Sequence, residues 1–450
     1  MTATAPKSRK HLCADSLIRL IHETLSQVPD HRPNRVKGKI TLTDAFMSAF
    51  AMMHLKYATL LDFDREARTE ELQYNLSHLY RVQGRIPCDT HMREILDPVD
   101  PIELRKPYKK LFAQVQRGGQ LDAFKHPVGE FKNLHLLAVD GTGLYYSGKC
   151  RCQECCVKNE GKPSEAYYHQ MLAACLVHPD RKVVLPLAPE PIVHQDGSTK
   201  NDCEKNALKR LLAHTKREHP HLELAIVLDG LYADAPTIEL IKSYGWHFII
   251  VAKDGNHGSL VEAMDTLDEN GQVKRLESCE DNGTRHWYRY AESVPLNKSD
   301  PGQVNVLDYV ETDKKGQRHT WCWVTDLPLN EETVYLIMKG GRSRWRIENE
   351  TFNTLKNHGY NLEHNYGHGK QHLATNMAYL TILAFLVDQI QQLACPQFQK
   401  ALSGKPRGAR VYLWKMIIQH FQSWLIESWD ELFTAMIQGQ VARRIQIDTS

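Results

Sequence analysis

The sequence predicts an α/β protein that carries an inserted antiparallel β segment and is flanked by helical regions at both ends. Three observations predict this. The apolar runs "LHLLAVDG" and "LELAIVLDG" read as buried strands, with segments of helical period following. "RHWYRYAESV", "VNVLDYVET" and "RHTWCWVTD" alternate apolar and polar residues, as antiparallel strands do. Both ends of the chain repeat apolar residues at helical spacing.

From about Leu12 to Phe124 the chain reads as helical. "LTDAFMSAFAMMHLKYATLLDFDREA" starts with a Thr-Asp cap signal, and Pro87, Pro98 and Pro101 punctuate shorter helices. No helix-turn-helix signature marks a recognition helix. "YYHQMLAACLVHP" and "KVVLPLAPEPI" predict two strands joined by a turn near Pro179 and Asp180. "NDCEKNALKRLLAHTKREH" is an amphipathic helix with Leu208, Leu211 and Leu212 on one side. A helix from about Ala235 and the strand "WHFIIVAKDG" follow. Further helices are expected near 331–357, 371–394 and 409–437. The resulting division is a helical, DNA-binding region over 1–130, a catalytic α/β region over 131–375 with its β insertion at about 270–328, and a helical C-terminal region over 376–450.

The 450 residues are 42% hydrophobic and 24% charged with a net charge of +2, so nucleic-acid contact must come from local patches. One such run is Lys7, Arg9, Lys10, Arg32, Arg35, Lys37 and Lys39. The first residues lack the apolar segment of a secretory leader. The most apolar stretch, Ala378 to Val387, is too short to span a bilayer and reads as a buried helix. Eleven cysteines without a leader argue against a disulfide framework and for the cytoplasm.

Asp140 and Asp229 each end an apolar strand and precede glycine. Asp-Gly is a common turn pair, yet strand ends in α/β sheets are also where ligands gather. Two such positions of the same form point to a shared site. In "RSRWRIENETFNTLKNHG", a helical wheel over 342–356 groups Trp345, Phe352 and Leu355 with Glu348, and sets Glu350 on the other side near Arg342 and Arg346. An inward, unpaired Glu348 carries a desolvation cost. A bound cation relieves it, and so does an ion pair to Arg344 one turn earlier. Three converging carboxylates suit Mg²⁺ or Mn²⁺. Two such ions about 4 Å apart can activate an attacking oxygen and stabilise a leaving one. Arg342, Arg346, Asn349 and Lys356 share a face suited to DNA phosphates.

These segments resemble the DDE transposases of bacterial insertion sequences, in the branch whose signature helix carries Tyr, Arg, Glu and Lys. "AVDGTG" resembles the first-aspartate segment and "VLDGLYAD" the second; "RWRIEN" resembles the glutamate helix and "WVTDLP" the strand before it. The resemblance covers roughly 134–375. It implies a ribonuclease-H-like catalytic core with a β domain inserted before the glutamate. It also implies Asp140, Asp229 and Glu348 as a triad holding Mg²⁺ or Mn²⁺, with Arg344 as the signature arginine, expected to bind DNA with the cations around it. Gly341 stands where the family has Tyr, and Leu355 where it has Lys, with Lys356 next to it. Glu350, paired with Arg346, remains an alternative third ligand. The implied chemistry is hydrolysis at the element's ends and transfer of the 3′-hydroxyl into target double-stranded DNA by a homodimer, at the nucleoid and away from any membrane.

"CRCQECC" clusters Cys150, Cys152, Cys155 and Cys156, a signal for structural Zn²⁺ that His169 or Cys203 would complete. His364, His368 and His372 have helical spacing, but Gly367 and Gly369 predict a loop in which Lys370 meets phosphate rather than a metal site. Trp287, Trp321 and Trp323 read as core of the insertion, or as a base-stacking surface. Two other functions fit less well. Aspartate-nucleophile phosphatases need an Asp where Ala138 stands, and a catalytically silent DNA-binding derivative has no need of all three acids.

Overall fold

The computed structural model describes residues 10–30, 32–33, 40–193, 204–252, 258–297, 302–405 and 409–439. Lys7, Arg9, Arg35, Lys37, Lys39 and Cys203 lie outside the described residues. Arg32 is described, and its guanidinium is held by Asp30 (2.7 and 2.9 Å) and the Ile40 carbonyl (2.9 Å).

The N-terminal helices are α1 (Ala14–Leu25), α2 (Leu42–His54), α3 (Leu60–Glu66), α4 (Glu70–Tyr80), α5 (Asp89–Leu96) and α6 (Arg105–Arg117). The cap of α2 is Thr41, two residues before the Thr-Asp pair, and its hydroxyl accepts from the Asp44 amide. The predicted run from Leu42 divides in two, with Lys56 in the left-handed region (φ 65°) between α2 and α3.

Strands β1 (His135–Ser147), β2 (Cys156–Lys158), β3 (Ala166–His178), β4 (Arg181–Pro186) and β5 (Glu190–Ile192) come next. They lead into α7 (Glu204–Glu218), β6 (Leu224–Leu228), α8 (Ala235–Ser243), β7 (His247–Val251) and α9 (Gly258–Glu269). The antiparallel strands β8 (Lys274–Cys279), β9 (Arg285–Pro295), β10 (Gln303–Thr312) and β11 (Arg318–Thr325) complete the sheet. Its order is β2-β3-β1-β6-β7-β11-β10-β9-β8, with β4 and β5 also on β3. β1, β6 and β7 run parallel, and every residue of β6 is buried, as a strand covered on both faces requires. The inserted strands do not stand apart: β11 pairs with β7 through Trp323↔Val251 and prolongs the same sheet.

The segment predicted as one helix near 331–357 is α10 (Val334–Arg342), a turn, a π-helical stretch at Ile347–Phe352 and α11 (Asn353–Asn357). The C-terminal helices are α12 (Leu373–Ala394), α13 (Pro396–Ser403), α14 (Arg410–Ser423) and α15 (Trp429–Gln438), so the helix expected over 409–437 is two. At 22 residues α12 is longer than its apolar run and long enough to cross a membrane, yet its most apolar window lies wholly inside the protein. Its polar residues explain why it is a core helix. Asn376 donates to the Leu96 and Val99 carbonyls, and Gln389 accepts from the Val184 amide. α12 packs on both α2 and β4, so N- and C-terminal helices share one apolar core with the sheet.

Candidate active site

The last parallel pairs of β1 and β6 include Ala138↔Val227. Asp140 and Asp229 each stand two residues beyond this pair, past the end of the parallel ladder. Asp229 follows β6, as expected, and caps a tight turn by accepting from the Leu231 amide at 3.0 Å. Asp140 does not end its strand. β1 continues to Ser147 in antiparallel pairing with β3, where Asp140 faces Ala173 and Gly141 faces Leu172. The parallel ladder stops there while the hairpin goes on, which opens the sheet beside Asp140.

Glu348 reaches this point from the π-helical stretch, which packs on β1, β3 and β4. Arg344 bridges the two elements: one guanidinium nitrogen lies 2.9 Å from Asp140 Oδ2 and another 2.7 Å from Glu348 Oε1. Glu350 turns away to Arg346 (3.2 Å), whose other nitrogen donates to the Pro179 carbonyl (2.7 Å). Phe352 and Leu355 are buried as the wheel expects, and Glu348 turns to Arg344, but other positions depart from it. Trp345 is 53% exposed, Ile347 takes its place in the core, and the Glu350 side chain is less exposed than that of Glu348 (19% against 35%). A π turn adds a residue to the helical repeat, so angles counted at α-helical pitch drift through it.

Burial pushes the Asp140 carboxyl up to about 6; Arg344 and the Gly141 amide oppose the rise, while Glu348 and Asp229 add to it as like charges. Asp140 is thus within electrostatic reach of both other acids. Two residues that sequence reasoning did not select complete the surroundings. The buried Tyr232, in the turn after Asp229, donates its phenol proton to Glu204 Oε2 at 3.1 Å. Glu204 lies over Gly141, where a Cβ would come within 2.4 Å of Oε1, so a larger residue there would push this flexible carboxylate aside. The "LDGLY" spacing offered a signal for Tyr232; Glu204 is brought in from the start of α7 and had none.

The proposed cation row is not uniform. Arg344 is turned into the acids, with its side chain only 13% exposed. Arg342 pairs with Glu311 and lies over the Trp321 ring at 4.7 Å. Arg342, Arg346, Asn349, Lys339 and Tyr335 line one open cleft of about 380 Å³ between α10 and the inserted strands. Lys356 pairs with Glu363 (2.8 Å), and Lys370 is exposed. Of the three tryptophans, Trp323 is fully buried, while Trp287 and Trp321 are half-buried.

Gly341 has a steric cause: a Cβ there would lie 2.5–2.9 Å from three atoms of the buried Trp323 indole. Gly341→Ala is expected to lower stability by about 1–3 kcal/mol from overpacking, partly offset by about 1 kcal/mol of helix propensity. A chemical denaturation midpoint at or above wild type would refute the clash.

Among the cysteines, Cys152 and Cys155 approach His169 and His368. Cys150 is exposed, and the Cys156 thiol donates to the Ile192 carbonyl at 3.4 Å, so these two lie outside the expected cluster. His368 joins residues distant in sequence rather than His364 and His372.

Asp140 within β1, Asp229 just after β6 and Glu348 on the π-helical stretch, with Arg344 paired to Asp140 and Glu348, form an acidic cluster beside the parallel strands of a mixed sheet. The transposase DDE domain family matches residues 134–386, more than half of the chain, and the chain belongs to that family. Membership implies a transposase acting on DNA with divalent metal ions. No curated protein matches the chain.

Proposed function

We propose that the chain hydrolyses phosphodiester bonds at the ends of a bacterial insertion sequence and transfers the exposed 3′-hydroxyl into target DNA. In this reading Asp140, Asp229 and Glu348 are the metal ligands, for two Mg²⁺ or Mn²⁺ ions. The position of Asp140 and Asp229, each two residues past the last parallel pair, with Arg344 joining Glu348 to Asp140, carries the reading. The donor set fits hard cations, because all three proposed ligands offer carboxylate oxygens. Bound ions would supply Lewis acidity for the attacking and leaving oxygens. The protein's own part is positional. The cap on Asp229 and the Arg344 fork fix the carboxylates before DNA binds.

Glu348 is preferred to Glu350 because the latter's carboxylate is committed to Arg346, on the side of the β3–β4 turn. The hairpin on one flank of β1 and two parallel strands on the other support a ribonuclease-H-like core over 131–375, with its insertion at about 270–328. The cleft beside α10 favours phosphate contacts by Arg342, Arg346 and Asn349, with Lys356 and Lys370 further along the chain. The helices of 1–130 would bind DNA, residues 376–450 form the helical C-terminal part, and cutting two ends together requires a homodimer at the nucleoid.

The test is nicking of DNA bearing the element's terminal repeats, with Mg²⁺ or Mn²⁺. Asp229→Ala and Glu348→Gln should abolish nicking, and Glu350→Gln should retain it. Full nicking by Asp229→Ala would end the proposal. Binding without nicking by the wild type would favour a silent DNA-binding protein. Because a metal ion competes with the Asp140 proton, Mn²⁺ affinity is expected to fall about tenfold per pH unit below about 6 and to level off above it. Calorimetric titration at pH 5 and pH 7.5 checks this, and equal affinities would contradict it.

A further inference from the structure

We propose a second metal centre, a structural Zn²⁺ site formed by Cys152, Cys155, His169 and His368, that fastens the hairpin carrying Asp140 to the segment following the glutamate helix. The four donor atoms lie within 4.8 Å of one another although they come from three separate parts of the fold. Cys152 and Cys155 form a Cys-x-x-Cys turn between β1 and β2, His169 is on β3, and His368 is in the loop before α12. The Cys152 and Cys155 sulfurs are 3.5 Å apart, and His169 Nε2 lies 3.4 and 3.3 Å from them. His368 Nδ1 is 3.1 Å from the Cys155 sulfur. A tetrahedral ion with Zn–S of about 2.3 Å and Zn–N of about 2.0–2.1 Å needs ligand atoms roughly 3.3–3.8 Å apart. The four separations given are within a few tenths of that range, and the remaining two are no more than 4.8 Å.

The chemistry of the donors selects the metal. Two sulfurs and two imidazole nitrogens, with no carboxylate, suit Zn²⁺ and disfavour Mg²⁺. Cys155, His169 and His368 are each under 5% exposed. With all four positions supplied by protein, the site is closed, as structural zinc requires. The Cys152 amide points at the Cys155 sulfur (3.2 Å), which favours a thiolate there. Binding expels the two thiol protons to solvent.

The surroundings show what the site holds together. Within the Cys-x-x-Cys turn, Glu154 binds His372 Nδ1 (2.6 Å) and the Thr375 hydroxyl (2.8 Å) at the start of α12. The Gln153 amide donates to the Lys370 carbonyl (3.4 Å), and Tyr145 of β1 donates to the Gly367 carbonyl (2.7 Å). On its other side the loop is capped by Asp97, which accepts from the Lys370, Gln371 and Leu373 amides. Zinc would thus lock a loop that meets the catalytic hairpin on one side and the N-terminal helices on the other.

The experiment uses the full chain, purified under reducing conditions without chelator. Elemental analysis is expected to find one zinc per chain, and exchange for Co²⁺ should give the intense visible bands of a tetrahedral site plus thiolate charge transfer. Cys152→Ser and His368→Asn should lower zinc content to background, and Cys150→Ser should leave it unchanged. Absence of zinc after reconstitution, an octahedral cobalt spectrum, or equal loss in Cys150→Ser would overturn the site. The cobalt spectrum of the wild type decides the matter even where a variant fails to fold.

Discussion

Asp140→Asn is expected to abolish DNA cleavage while making the metal-free protein more stable. Loss of a carboxylate ligand removes several kcal/mol of transition-state stabilisation, a fall of roughly 10³-fold or more. The stability gain follows from the sign of the shift. A carboxyl whose pKa is raised on folding favours the folded state fully below its unfolded value, and that contribution is lost as pH rises through about 6. At pH 7.5 wild-type Asp140 is therefore ionised at a cost, mainly of desolvation, that Asn does not incur. Thermal unfolding in chelator should show a higher Tm for the variant at pH 7.5 and a gap that narrows as pH falls through about 6 and closes only below about 3.8. A variant that is inactive and also less stable at pH 7.5 would mean that the Arg344 ion pair outweighs burial. Site residues held at a cost to stability are the usual trade between function and fold.

Asp388→Ala is expected to cost about 3–5 kcal/mol, the largest stability effect of any single substitution considered. Asp388 is buried in the middle of α12. It binds Lys56 Nζ at 2.9 Å, His54 Nε2 at 3.1 Å and the Tyr360 hydroxyl. Lys56 also lies over the Tyr360 and Trp414 rings. One cluster thus joins the end of α2, the chain after the glutamate helix, α12 and α14. Burial works against the ionised Asp388, but Lys56, then His54 and Tyr360, hold it below the ordinary carboxylate range. Its contribution is therefore present at neutral pH and lost as pH falls through that lowered value. Removing it strands the Lys56 charge in the core. Urea denaturation measures the loss, and the double variant Lys56→Met with Asp388→Leu should recover most of it. A midpoint for Asp388→Ala near wild type would show that Lys56 finds water or another acceptor.

Much of the sheet was legible because strand signals are local. The runs ending at Asp140 and Asp229, the β3–β4 turn at Pro179 and Asp180, and the alternating strands β9 to β11 each follow from a short stretch of side chains. The helix wheel gave Glu348 its inward direction but misplaced Trp345 and Glu350, because a π turn is a departure from regular pitch that residue periodicity does not encode. The cysteine cluster announced itself through Cys-x-x-Cys. His169 was among the residues expected to complete it, whereas His368, 213 residues from Cys155, is a neighbour only in space.

By itself the sequence determined the alternation of strands and helices, the apolar runs that lead into Asp140 and Asp229, and the acid-and-arginine character of residues 342–356, since these depend on period, burial and charge over short windows. Only the tertiary structure decided that Arg344 turns inward to bridge Asp140 and Glu348, that Glu204 lies over Gly141, and that Asp388 ties both ends of the chain together. Those arrangements depend on which backbones approach closely enough to share a charge or exclude a Cβ, a distance that no local pattern records.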